Sequence, residues 1–208
     1  MHQFTSDIAF TSSVKAVQTE NGSRGSYAKM EQTRGFETQV TPRLESFLAE
    51  MDMFYLGTSN AEGQPYIQYR GGPTGFLRAV DQKTLAFADF GGNQQFITVG
   101  TLSENQKAFI FLMDYVNSRR IKIWGTARVV ENDPDLLASL SDPDYPGTPE
   151  RAILFTIEAW DVNCPQHIHK RVLVSEVAPV INRLENEVAE LKARLKAVES
   201  GNHAVVLD

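Results

Sequence analysis

Thr84-Leu-Ala-Phe-Ala-Asp-Phe-Gly-Gly-Asn93 is the stretch on which the reading of this chain turns. A short apolar strand, Leu85 to Phe87, runs into Asp89-Phe-Gly-Gly-Asn, where the backbone is free to reverse. Glycine permits positive φ and close approach, and Asn93 tolerates left-handed geometry while bringing an amide. Such a turn can point its N–H groups at a ligand, although plain chain reversal accounts for most turns of this composition. Its meaning depends on the company it keeps between Tyr66 and Val130.

On both sides the strand signals come at close intervals. Met53 to Thr58 ends in the hairpin-type turn Asn60-Ala-Glu-Gly63, and Pro65-Tyr-Ile-Gln-Tyr-Arg70 alternates before Gly71-Gly72-Pro73. Phe76 to Val80 continues that ribbon after the interruption, while Gln94 to Leu102 reads as helical or irregular. Lys107 to Asp114 is an apolar strand, and a turn at Asn117-Ser118 leads into Arg119-Arg-Ile-Lys-Ile-Trp-Gly-Thr-Ala-Arg-Val-Val130. That run alternates basic and apolar residues, so one face is buried and the other carries Arg120 and Lys122. Asp133-Pro134 opens a short helix, and Ala152 to Trp160 returns as a strand. Many short strands with few helices predict a mainly β fold, an antiparallel barrel with flanking helices.

The rest of the chain frames that barrel. Residues 1–40 read as an N-terminal arm with helical turns at Ser12–Gln18 and Tyr27–Glu31. Thr41-Pro42 is a hydroxyl cap followed by proline, starting a helix that carries Leu44, Phe47 and Leu48. The barrel domain is expected over 41–175, an amphipathic helix over 176–200 and a tail over 201–208. In the helix, Ile181, Leu184, Val188, Leu191, Leu195 and Val198 form an a/d seam flanked by Glu185, Glu187, Lys192 and Arg194, which predicts a packing partner.

Composition narrows the function. Across 208 residues the formal charge is −6, so there is no general footprint for nucleic acid or anionic lipid, and any anion site must be local. Cys164 is the single cysteine, which rules out an intrachain disulfide and fits a reducing, cytoplasmic setting. Its longest apolar run, Ala108 to Met113, is far short of a bilayer span, and the first residues lack a signal-peptide pattern.

The succession Tyr69-Arg-Gly-Gly-Pro73, Leu85 to Asn93, Lys107 to Asp114, Arg119 to Gly125 and Asn163-Cys-Pro-Gln-His-Ile168 resembles the FMN-binding split-barrel family related to pyridoxamine 5′-phosphate oxidase. It is most similar to the flavin-nucleotide-binding branch of that family. The resemblance implies a six-stranded antiparallel Greek-key split barrel, forming a homodimer with FMN in clefts at the subunit interface. Carried over by position, Arg70, Gly71, Gly72 and Pro73 border the flavin ring. Phe87, Ala88 and Asp89 follow the ribityl chain, and Gly92, Asn93 and Gln94 fall at the phosphate and ribityl contacts. Arg119 and Arg120 match the strand start that reaches the flavin, and Cys164, Pro165, Gln166 and His167 close over it. The oxidases of the family place an Arg-Lys pair after the third strand to grip the phosphate. This chain has Gly91-Gly-Asn-Gln-Gln95 there, so Arg120, Lys122, Arg70 or Lys170 must supply the charge, or backbone N–H groups must.

The resemblance thus implies an FMN-dependent oxidoreductase acting on a small organic molecule. A flavin store or redox sensor, and a barrel holding haem or a deazaflavin, are the alternatives. Bland readings stand beside each site: Arg70 as an arginine at a β-bulge, Arg119 and Arg120 as exposed strand-entry residues, Trp124 and Trp160 as core or interface. Cys164, His167 and His169 lack a fourth ligand nearby, so no metal site is expected. No side chain is singled out as a catalytic base.

Overall fold

The structure is a computed structural model and describes residues 3–203. Residues 204–208 of the expected tail lie outside the described residues. In chain order the elements are a 3₁₀ turn (Thr5–Ile8), α1 (Ser12–Glu20), α2 (Arg24–Thr33), α3 (Pro42–Ala49), β1 (Met53–Ser59), β2 (Pro65–Gly71), β3 (Arg78–Ala79), β4 (Thr84–Phe90), α4 (Ile97–Glu104), β5 (Lys107–Asp114), β6 (Arg119–Val130), α5 (Pro134–Leu140), β7 (Pro149–Val162) and α6 (Val174–His203).

Period-two alternation builds one antiparallel sheet in the order β2-β1-β5-β6-β7-β4-β3, the strand system of a split barrel. Side chains on its inner face, such as Phe54, Ile110, Ile123 and Phe155, have no exposed surface. Phe87 joins them from β4, edge-on to Phe54 with ring centroids 5.0 Å apart. The barrel has seven strands among the described residues, not the six expected. The seventh, β3, is only two residues long because the preceding Phe76 and Leu77 are driven into the core. What remains of that ribbon pairs with the free edge of β4 through Arg78 and Ala79.

Local chemistry sets the irregular points. Thr41 accepts a hydrogen bond from the Leu44 N–H and Pro42 fills the first helical position, so α3 starts there and buries Leu44, Phe47 and Leu48. At the β6–β7 register shift a Cβ on Gly125 would collide with the Thr156 carbonyl, so the bulge requires glycine.

The arm is more helical than its composition predicts, because tertiary contacts hold it. Glu31, 6% exposed, pairs with Arg24 and accepts from the Ser6 hydroxyl. The Thr5 hydroxyl bonds the Phe36 carbonyl and accepts from the Phe36 N–H. Phe36 then stacks on Trp124 at 5.4 Å, laying this end of the arm against β6. Trp160 is buried and donates to the Gln39 carbonyl at 2.7 Å, so both tryptophans serve packing.

Two compact units emerge: residues up to Asp114 with Ser118–His167, and Tyr115–Asn117 with the chain from Ile168 onward. Within the second, Arg171 lies over the Tyr115 ring at 4.8 Å and α6 runs for 30 residues. No helix among the described residues is long and apolar enough to cross a membrane.

Candidate functional site

Where β2 and β4 approach across the split, alternate residues of β2 (Tyr66, Gln68 and Arg70) turn into a cleft. Asp89 enters from the end of β4 and Arg151 from the start of β7, the two being register partners in the β4–β7 ladder. The turn Gly92–Gln95 and the first residues of α4 complete the wall. A hydrogen bond of 2.6 Å from Thr98 to Gln68 fixes α4 against β2. Gln94 and Phe96 both take left-handed backbone angles, with φ of 58° and 52°. That twist presents the start of α4 to the cleft, and no side chain caps the helix.

The electrostatics follow from one buried triad. Asp89 pairs with Arg70 through one carboxylate oxygen and with Arg151 through the other, the latter at 3.4 Å. Their side chains are 12%, 9% and 14% exposed for Arg70, Asp89 and Arg151, so two positive charges share one negative charge almost out of water. Glu150, which also lines the cleft, pairs with Arg151 at 2.8 Å, and Glu131 reaches it at 3.7 Å; the two are 34% and 62% exposed. Arg151 therefore has carboxylate partners on both sides, whereas Arg70 has Asp89 alone and its Nε is buried without a hydrogen-bond partner. An unmade bond of a buried charged group is costly, and an acceptor oxygen in the cleft relieves it. The uncapped start of α4 adds N–H donors and the positive end of a helix dipole. The cleft is open on one side and offers about 70 Å³, room for a few waters or one phosphate group.

The predicted site residues do not all meet in one place. Arg70, Asp89, Gly92, Asn93 and Gln94 come together in this cleft. Phe87 and Ala88 turn their side chains into the core and offer a ligand only backbone. Gly71 and Gly72 have a reason within the chain, since a Cβ on Gly72 would meet the Phe76 ring at 2.5 Å and one on Gly71 the Tyr69 ring at 2.9 Å. Pro73 caps that turn by accepting from the Phe76 N–H.

The basic residues of β6 are elsewhere. Arg119 is tied to Asp114 and Glu50 and lies over the Phe47 ring at 5.0 Å. Arg120 donates through Nε and a terminal nitrogen to the Asn163 side-chain oxygen, both at 2.9 Å. Lys122 sits 5.3 Å over the Trp124 ring, its ammonium pushed down from the usual lysine range by burial and by Arg120 against the opposing pull of Asp161. Cys164, Pro165, Gln166 and His167 are all exposed, and His167 has a left-handed backbone with φ 63°. Among the described residues, no group of three or more His, Cys, Asp or Glu side chains could hold a metal ion.

Arg151, Gln68, Thr98 and Phe96 escaped the sequence reading. The Arg151–Asp89 pairing depends on ladder register between strands 62 residues apart, which no local pattern encodes. The clue was chemical: a buried strand opening on Pro149-Glu-Arg carries a charge that needs a partner.

Residues 40–164 match the pyridoxamine 5′-phosphate oxidase family. The chain belongs to that family. The match spans β1 to β7 and so contains the whole cleft. No curated protein matches the sequence. Among solved structures, HupZ of Group A Streptococcus is similar at 18% identity, over 64% of this chain and 99% of its own, with a TM-score of 0.49. An FMN-binding protein from Syntrophomonas wolfei is similar at 15% identity over 70% and 97%, TM-score 0.46. A protein related to general stress protein 26, from Clostridium acetobutylicum, is similar at 17% over 64% and 92%, TM-score 0.44.

Proposed function

We propose that the chain binds a phosphorylated flavin, FMN, with the phosphate in the Arg70–Asp89–Arg151 cleft, and that it acts as an oxidoreductase on a small organic molecule. The observation that carries this is the unpartnered, buried Arg70 Nε beside a second guanidinium, Arg151, in one cleft of a chain of this family. Arg70 and Arg151 replace the basic pair that the turn after β4 lacks. Their guanidiniums donate charge-assisted hydrogen bonds to the phosphate oxygens, and Asp89 holds both in place. Phe96, stacked under Arg151 at 5.3 Å, keeps water from one side of that contact. A bound flavin supplies the hydride and electron chemistry, while the protein supplies position and charge.

A second copy of the chain completes the site. With the phosphate in this small, open cleft, the ring extends beyond it. On the face of β2 opposite Arg70, Ile67 and Tyr69 are 69% and 60% exposed. Ladder pairing extends Tyr69 into a row with Tyr55, Phe111 and Lys122. An apolar aromatic face of this kind on a sheet is the surface expected to be covered by a partner, and in a homodimer it meets its own copy.

The test is to saturate the purified protein with FMN, pass it through gel filtration and record its spectrum. One flavin retained per chain, bleached anaerobically by reduced nicotinamide, supports both parts. Flavin that no donor reduces removes the oxidoreductase part, and FMN that elutes free removes the reading altogether.

A further inference from the structure

We infer that α6 pairs in parallel with α6 of a second copy as a two-stranded coiled coil. The apolar seam is longer than its six strongest positions. Counting back from Ile181 in the same heptad register, Val177 takes d and Val174 takes a, giving eight consecutive apolar a and d positions from Val174 to Val198. Apart from the half-buried Val177, the seam is uncovered within the chain: Ile181 is 47% exposed, Leu184 51%, Leu191 52% and Leu195 59%. Ile181, Leu184 and Val188 line an apolar groove bordered by Glu185 and Lys192.

A 30-residue helix is about 45 Å long, and one with this stripe left in water is marginal by itself. An a/d-only stripe is too narrow for a helix packed on a globular core and suits one equal partner.

Three details select a second copy in parallel. Three of the four a positions, Val174, Ile181 and Val188 but not Leu195, are β-branched and the central d positions Leu184 and Leu191 are leucine, the combination that favours two parallel strands. In that register the g position Glu187 faces the e position of the next heptad, the partner's Lys192, and two-fold symmetry makes the same attraction twice. Pro179 falls at f, on the outer side, where its missing N–H and any bend leave the seam intact. No polar residue interrupts a or d between Val174 and Val198, so nothing in the seam demands a different partner sequence.

The test uses full-length protein in a Cys164→Ser background. Leu184→Cys places one thiol at a central d position, where two parallel helices bring the Cα atoms within disulfide range. Asn186→Cys places a thiol on the outer f position as a control. Mild oxidation is expected to convert the Leu184→Cys protein to covalent dimer while the Asn186→Cys protein stays a single chain on a non-reducing gel. No cross-link at either position overturns the pairing and leaves another surface as the occupant, as does equal cross-linking at both, which is random collision. Light scattering on the cross-linked species must give two chains; three or more would overturn the two-stranded form.

Discussion

Asp89 and Arg151 stand opposite each other in register across the β4–β7 ladder, and Asp89 holds Arg70 with its other oxygen. Two strands and the split of the barrel are thereby joined by one carboxylate that is 9% exposed. Replacing it by Asn leaves two guanidiniums with too little counter-charge. Asp89→Asn is expected to lower stability by about 3–5 kcal/mol in urea unfolding, the usual cost of breaking a buried pair. Inorganic phosphate should recover part of that loss, and more in the variant than in the native protein. A variant as stable as the native chain would show that the triad bears no such charge imbalance.

Phe87 lies in the recognised stretch yet belongs to the core, touching Phe54 and Phe76 rather than the cleft. Phe87→Ala should cost about 3–5 kcal/mol of stability as a cavity mutation. In whatever fraction remains folded, FMN affinity should stay close to native, because no cleft group has been removed. Denaturant melts with and without flavin separate the two effects.

Asp7 accepts a 2.6 Å hydrogen bond from Lys15 and others from the Phe4 and Gln3 N–H groups. These, the Lys15 bond foremost, hold its carboxyl down at about 2. A depressed acid stabilises the folded arm above its ordinary value near ~3.9, and that contribution is lost as pH falls towards about 2. Carboxyl chemical shifts should therefore titrate with a midpoint near 2, and Asp7→Asn should weaken the arm at pH 6 and much less at pH 2. A midpoint near ~4 would contradict the assignment of that bond.

Ile67 and Tyr69 leave β2 on the side away from Arg70, and both are mostly exposed. Ile67→Glu is expected to break contact between barrels and to weaken FMN retention, while the isolated chain keeps its melting temperature within a few degrees. Sedimentation of a variant lacking the seam, with Leu184→Glu and Leu191→Glu, reads the barrel contact alone. Unchanged mass in that background would place the barrel interface on another face.

Fold was largely legible in the sequence because alternation and caps are local. Thr41-Pro42 started α3, Asp133-Pro134 started α5, and the strands from Met53 to Trp160 appeared in order. What stayed hidden was long-range. Phe76 and Leu77 read as strand residues, but burial pulled them out of the ladder and left β3 two residues. The helices of the arm depend on Glu31 meeting Arg24 and Ser6, which no pattern in residues 1–40 announces. Arg70, Asp89 and Gly92–Gln94, which the resemblance singled out, share one cleft. Arg151 was not singled out, because only the register of β4 on β7 brings it there. Arg119 and Arg120 look suited to a ligand in the sequence, yet Asp114 and Glu50 engage the first and Asn163 the second.

The most direct measurement is a comparison of FMN and riboflavin binding by the native protein and by Arg151→Ala. The two ligands differ only in the phosphate, so their ratio reads the cleft by itself. Native protein should favour FMN strongly, and Arg151→Ala should lose about 1.5–3 kcal/mol of that preference, roughly tenfold or more, while riboflavin affinity stays put. Equal loss for both ligands, or no loss for either, would contradict a phosphate held between Arg70 and Arg151.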